Sequence, residues 1–206
     1  ELTVFMTDFG RLWAGIGLLL LFIVVPMVAS PYMMYVFNMV GIAAIAAIGL
    51  NILIGFTGQI SLGHGAFFGV GAYAGAIFAT DLHTPLFLAV PAAGLFTAGV
   101  GMIFGIPSGR LKGLYLTIAT LAGQFIIEYL LIHWESLTKG TMGIMLPPTA
   151  FLGLPVSGDT GLYYIIFAAL CGAVWVAVNL MRTRFGRAFI AIRDNDRAAE
   201  GMGIPI

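Results

Sequence analysis

Charge is what this chain has least of: nine basic and nine acidic residues in 206, or 9% of the sequence. Soluble domains carry about 25% charged residues, so an ordinary water-facing surface is excluded. Cysteine is nearly absent too. The single Cys171 sits inside an apolar run, which rules out an internal disulfide, suggests no metal cluster, and reads as a small packing residue. Enzyme signatures are missing: there is no G-x-x-x-x-G-K-[ST] phosphate loop, no H-E-x-x-H and no G-x-S-x-G elbow. No catalytic residue and no metal ligand is assigned, and the chain is not read as an enzyme. Short alternating strands are also lacking, which argues against a β-barrel.

What is present is hydrophobic sequence, 60% of the residues, with a mean hydropathy of +1.04. It comes in runs of roughly 20 residues, each long enough as a helix to cross a hydrocarbon core of about 30 Å. Lipid offers no partner to an unpaired backbone group, so helices are the natural element. The fold class is all-α, a polytopic membrane helix bundle with six expected spans at about 12–30, 33–54, 61–80, 85–106, 113–133 and 161–181. The chain opens on Glu1 rather than methionine, as expected of a truncated or processed N-terminus. Its first apolar run continues into a full span and is not read as a cleavable signal.

Basic residues then orient the bundle. With a cytoplasmic N-terminus, the cytoplasmic side holds Arg11, Arg110, Lys112, Arg182, Arg184, Arg187, Arg193 and Arg197, and the outer side holds Lys139. Eight against one in short loops is a strong positive-inside signal. Asp81, Glu135 and Asp159 fall outside, with Trp134, Tyr163 and Tyr164 at the level of an outer aromatic belt. Gly65-x-x-x-Gly69, Gly71-x-x-x-Gly75 and Gly101-x-x-x-Gly105 place small residues one turn apart, where helix backbones approach closely.

Three stretches put polar groups at or near membrane depth. GFTGQISLGHG, residues 55–65, carries Gln59, Ser61 and His64 among four glycines. It is either a turn that starts a helix or a broken element whose freed backbone groups line a wet cavity. His64 has no second ligand at i+3 or i+4 and gives no metal signal. In GLYLTIATLAGQFIIEYLLIH, residues 113–133, Thr117, Thr120, Gln124 and Glu128 recur every three or four positions and share one helical face. Glu128 is either an inter-helix bond or part of a substrate path. The connection from Trp134 to Thr160 is long and partly apolar, as expected of a short surface helix or an outer docking platform.

The last stretch, TRFGRAFIAIRDNDRAAEGMG (183–203), breaks the pattern, with arginines interleaved with Asp194, Asp196 and Glu200. Anchoring at an anionic leaflet accounts for Arg182 and Arg184, but not for the acids and alanines that follow. GRAFIAIRDNDRAAEGMGI resembles the cytoplasmic coupling loop of ABC importer permeases. The matching residues are Gly186, Arg187, Ala191, Ile192, Arg193, Asp194, Asn195, Ala198, Ala199, Glu200 and Gly203. LNILIGFTGQISLGHGAFFGVGAYAGA (50–76) and GLYLTIATLAGQFIIEYLLIHWESLTKGTMGI (113–144) narrow the resemblance to branched-chain amino acid permeases of the LivM type.

That resemblance implies a transmembrane permease domain over 1–206 with a cytoplasmic coupling segment at 182–206, in the bacterial inner membrane. It implies a second homologous permease subunit, two cytoplasmic ATPase subunits carrying ATP and magnesium, and a periplasmic or extracellular substrate-binding protein. No cofactor is expected on this chain, and no nucleic acid. Permeases of this family continue beyond the coupling loop with further helices, so the chain is expected to be C-terminally incomplete. Gln59, Ser61, His64, Thr117, Thr120, Gln124 and Glu128 are the candidate path residues, and 191–203 is expected to be one short helix whose alanine face enters an ATPase cleft. Two alternatives stay open: a urea or short-amide permease of the same family, and a proton-coupled carrier using Glu128 and His64 as relay groups.

Overall fold

A computed structural model describes residues 22, 24–108, 111, 113–146, 150–151, 154–155 and 158–204. The expected first span, Arg11, Arg110 and Lys112, and part of the 134–160 connection lie largely outside them. The described residues are overwhelmingly helical, as lipid solvation demands.

Ser30-Pro31 starts the first long helix, α1 (Pro31–Asn51). The Ser30 hydroxyl accepts from the Met33 amide at 3.4 Å, and proline stands at the first helical position, where its missing N–H costs nothing. The expected span 33–54 does not end as a plain α-helix: it widens into a π-helical turn at Ile52–Phe56. Then follow α2 (His64–Thr80), α3 (Leu86–Ser108) and α4 (Leu114–His133). The 134–160 connection holds a four-residue helix α5 (Glu135–Thr138), a 3-10 turn (Gly140–Met142) and a two-residue antiparallel pair, β1 (Ala150–Phe151) with β2 (Leu154–Pro155). The sixth expected span is α6 (Gly158–Arg182), starting three residues earlier than the apolar run implied.

Four described helical segments are long and apolar enough to span: Pro31–Phe56, Leu86–Ile106, Leu114–His133 and Gly158–Arg182. The expected span at 61–80 is helical only from His64, 17 residues, or roughly 25 Å at 1.5 Å per residue. Four of the six expected spans are therefore matched among the described residues: the first expected span lies largely outside them, and the third is shortened because residues 58–63 leave the helix.

The chain divides into two compact units, Glu1–Ile45 with Ser157–Trp175, and Ala46–Val156 with Val176–Ile206. In the first, the buried Asn38 donates from Nδ2 to the Asp159 carbonyl at 2.9 Å, and Gly41 lies against Ile166. Phe22 packs edge-on against Tyr164 with ring centroids 5.0 Å apart.

In the second unit α2 packs against α3 and α4. The α2–α3 contact uses small side chains: Ala74, Ala76, Ala79, Ala89 and Ala93 are all buried. A Cβ at Gly71 would lie 3.3 Å from Thr97 Oγ1, and one at Gly75 3.6 Å from Ala93 Cβ. This is the close backbone approach expected of small-residue motifs. Gly105 departs from that expectation, since a Cβ there would meet nothing within 4 Å. Ala66, Val70 and Ile127 form the core between α2 and α4, bordered by Phe67, Val100, Phe104 and Leu131.

Candidate functional site

The site lies within the second unit, where α1 fails. The π-helical turn shifts the backbone register, and Thr57 hydrogen-bonds its side chain back to the Leu53 carbonyl. Gly58 adopts φ +70, the left-handed conformation that glycine takes without a Cβ penalty. The Gly58 and Gln59 amides then donate back to Ile54 and Leu53 carbonyls at 3.1 and 3.3 Å. Such π-bulges recur at functional positions.

Beyond the break, residues 60–65 cross the polar face of α4. Thr117 Oγ1 donates to the Ile60 carbonyl at 3.3 Å, and Thr120 Oγ1 accepts from the Leu62 amide at 3.1 Å. A Cβ at Gly63 would stand 2.8 Å from the Thr120 carbonyl oxygen, so only glycine lets the crossing come this close. Ser61 Oγ accepts from the Gly63 amide at 3.4 Å. Gln124, half-buried one turn further along α4, faces Gly65, its Oε1 3.8 Å from where a Cβ would stand. His64 begins α2 and turns its ring back to α1: Nε2 lies 3.0 Å from the Ala46 carbonyl. A carbonyl only accepts, so Nε2 carries the proton there.

Thr117, Thr120 and Gln124, which their spacing puts on one face of α4, lie against residues 60–65, and GFTGQISLGHG joins the π-helical break at Ile52–Phe56 to a helix start at His64. Glu128 is not brought to it. Its side chain is exposed and has no hydrogen-bond partner or ion pair among the described residues. The inter-helix bond offered for Glu128 is therefore not seen among the described residues.

The charged tail folds against the same break. A Thr183 cap, accepting from the Gly186 amide at 3.4 Å, starts α7 (Arg184–Asp194). Gly186 is buried at the turn, where a Cβ would collide with the backbone of Leu180 and Met181. Arg187 donates to the Arg182 carbonyl at 3.3 Å. The half-buried Phe189 and Ile192 face a cavity of about 500 Å³ that is also lined by Gly49, Ile52, Leu53, Thr57, Gln59 and His64. Neither Phe189 nor the Gly55 carbonyl was singled out from sequence. The apolar spacing Phe189–Ile192 on an otherwise charged helix was the available signal for the former.

The expected single helix over 191–203 is two. Asn195 is extended (φ −161, ψ 105), ending α7 and capping α8 (Asp196–Gly201), where its side chain accepts from the Ala198 amide at 3.1 Å. Asparagine is a preferred N-cap, so this break follows from local chemistry. The expected alanine face divides as well. Ala199 is 2% exposed, covered by its own chain, whereas Ala198 and Glu200 are exposed. Gly203, at φ +84, closes α8 with its amide on the Glu200 carbonyl at 2.9 Å. Ala191 accepts from the Asn195 amide at 3.0 Å. Arg193 and Asp194 pair at 3.0 Å.

The family model for the permease component of branched-chain amino acid transport systems matches residues 32–206. The high-affinity branched-chain amino acid transport system permease protein LivM of Salmonella typhimurium is 31% identical over 216 residues, covering 91% of this chain and 51% of that protein. Its namesake from Escherichia coli K12 is 30% identical, covering 92% and 50%. A probable LivM from Methanocaldococcus jannaschii is 29% identical over 119 residues, 57% of this chain and 34% of that protein. No solved structure matches. The chain spans about half the length of the two bacterial relatives. Several apolar helices and this match over most of the sequence make it a multi-pass membrane protein, and it belongs to the family of branched-chain amino acid transport permease components.

Proposed function

We propose that the chain is part of the membrane-spanning permease subunit of an ATP-driven importer, moving branched-chain amino acids received from a periplasmic binding protein across the bacterial inner membrane. The observation that carries this reading is the tail. In a chain with so few charges, residues 182–203 form two capped, surface-bearing helices seated on a helix break. Short helices with exposed charge suit a groove on a soluble partner, here an ATPase subunit. Such an importer pairs this subunit with a second, homologous one and with two ATPase subunits that hold ATP and magnesium. The names of the relatives favour branched-chain amino acids over urea or short amides. The N-terminus is assigned to the cytoplasm on the eight-to-one basic asymmetry.

Ala198, with Arg197 and Glu200, faces outward on α8 for the partner, and Ala199 does not. In the full complex, Ala198→Trp should leave the chain folded but shed the ATPase or abolish leucine-stimulated hydrolysis in liposomes. Retention of both activities by Ala198→Trp would reduce the tail to a membrane anchor. Orientation is tested on a Cys171→Ser background with Met142→Cys and Met202→Cys, at positions 93% and 85% exposed. An impermeant thiol reagent should reach the first from outside and the second only from inside; the opposite sidedness refutes the topology.

A further inference from the structure

Arg193 lies 138 positions from the residue its guanidinium touches. Nη1 donates to the Gly55 carbonyl at 3.0 Å, inside the π-helical turn that ends α1. Nε and Nη2 both hold Asp194 Oδ1, at 3.1 and 3.0 Å, which fixes the plane of the fork. The aliphatic stem fills the space over Gly58: a Cβ there would lie 2.9 Å from Arg193 Cγ and 3.6 Å from its Cβ. Next to this contact, Ile192 and Phe189 close one side of the cavity whose other side is Leu53, Thr57 and Gln59. A helix end presents carbonyls and the negative pole of its dipole, and a cation there satisfies both. The Arg193–Asp194 pair is largely exposed, 43% and 64%, where ion pairs add little stability. The value of the contact is therefore geometric.

We propose that Arg193 is a positioning residue that latches the tail helix to the broken end of α1, so that the tail and the 55–59 turn move as one body. This rests on the importer reading above. A displacement of α7 and α8 by a partner would then be delivered to the turn that carries Gln59 and leads to the crossing of α4. A lysine cannot replace the fork, because one ammonium on a flexible stem does not hold a carbonyl and a carboxylate in a single plane.

The test uses the whole transporter in liposomes, with leucine uptake per ATP hydrolysed as the readout. Arg193→Met and Arg193→Lys are expected to keep the ATPase bound and hydrolysing while that ratio falls about ten-fold, roughly the effect of losing 1.4 kcal/mol of coupling. A covalent substitute for the latch is available. The Cβ separation at positions 58 and 193 is 3.6 Å, inside the disulfide range of about 3.5–4.5 Å. On the Cys171→Ser background, Gly58→Cys with Arg193→Cys should cross-link on oxidation, recover the ratio of Gly58→Cys alone, and lose it again on reduction. A merely structural arginine would show no such redox-dependent rescue. Failure to cross-link, or a bridge that leaves the ratio at the Arg193→Cys level, overturns the latch. If Gly58→Cys is itself inactive, Arg193→Met decides: an unchanged ratio overturns the latch, a fall upholds it. A wild-type complex with no ATPase and no leucine uptake refutes the importer reading, and the latch falls with it, whereas normal wild-type coupling with an indifferent Arg193 refutes the latch alone.

Discussion

The α2 helix and the residues leading into it meet their neighbours by opposite means. Along α2 the contact with α3 is made by buried alanines, by Gly71 and Gly75 and by the ring pairs Phe67–Phe104 and Phe78–Phe96, and the Thr97 hydroxyl there bonds within its own helix to the Ala93 carbonyl at 2.7 Å. Just before α2, the crossing of α4 is made by hydroxyls reaching foreign backbone, Thr117 to Ile60 and Leu62 to Thr120. The difference follows from where the backbone bonds go. A helix satisfies its own N–H and C=O groups, so its neighbours need only fit closely. A segment that leaves the helix frees those groups, and here side chains of α4 supply partners. Around the break the partners are polar: the backbone of 55–64, the hydroxyls of α4 that face it, and Arg193.

That contrast can be broken on either side, and the expected effects are graded. Gly63→Ala drives a methyl into the Thr120 carbonyl, rigid backbone on both sides, and should lower stability by about 3 kcal/mol, the upper end for overpacking, read as a fall in melting temperature in detergent. An unchanged melt would mean that the crossing is looser than described. Ala93→Leu, at a position 4% exposed, overfills the α2–α3 contact and should cost about 2 kcal/mol in the same measurement, with polar contacts untouched. Thr120→Val keeps the shape but removes the acceptor of the Leu62 amide. The loss should be about 1 kcal/mol, the usual net worth of one hydrogen bond, and Thr120→Ser should restore it. Equal losses from Ser and Val would assign the effect to packing. Glu128→Leu should change the melt by no more than about 0.5 kcal/mol, as for an exposed site without partners. A larger fall would show that Glu128 bonds outside the described residues.

The four described spans were legible because length and apolarity in lipid leave a helix little alternative. So was the shared face of Thr117, Thr120 and Gln124, since helical period alone puts them together. The tail announced itself by charge. The split of that tail was written at Asn195, a capping residue, but an alternating run of charges and alanines looks equally like one helix. Which alanine is covered could not be read, because Ala198 and Ala199 are identical in composition and differ only in facing.

What the residues determined by themselves is therefore local and solvent-driven: all-α spans, small-residue packing stripes, and a charged end unlike the rest. Tertiary structure decided the partners. Gly55 offers a carbonyl, which every residue has, and nothing in its side chain marks it as the acceptor for an arginine 138 positions away. The Gly63 requirement likewise arises only from the approach of Thr120. Backbone acceptors and close approaches leave no signature in residue type; they exist only once distant segments have been brought together, and in this chain the helix break and its latch are made of them.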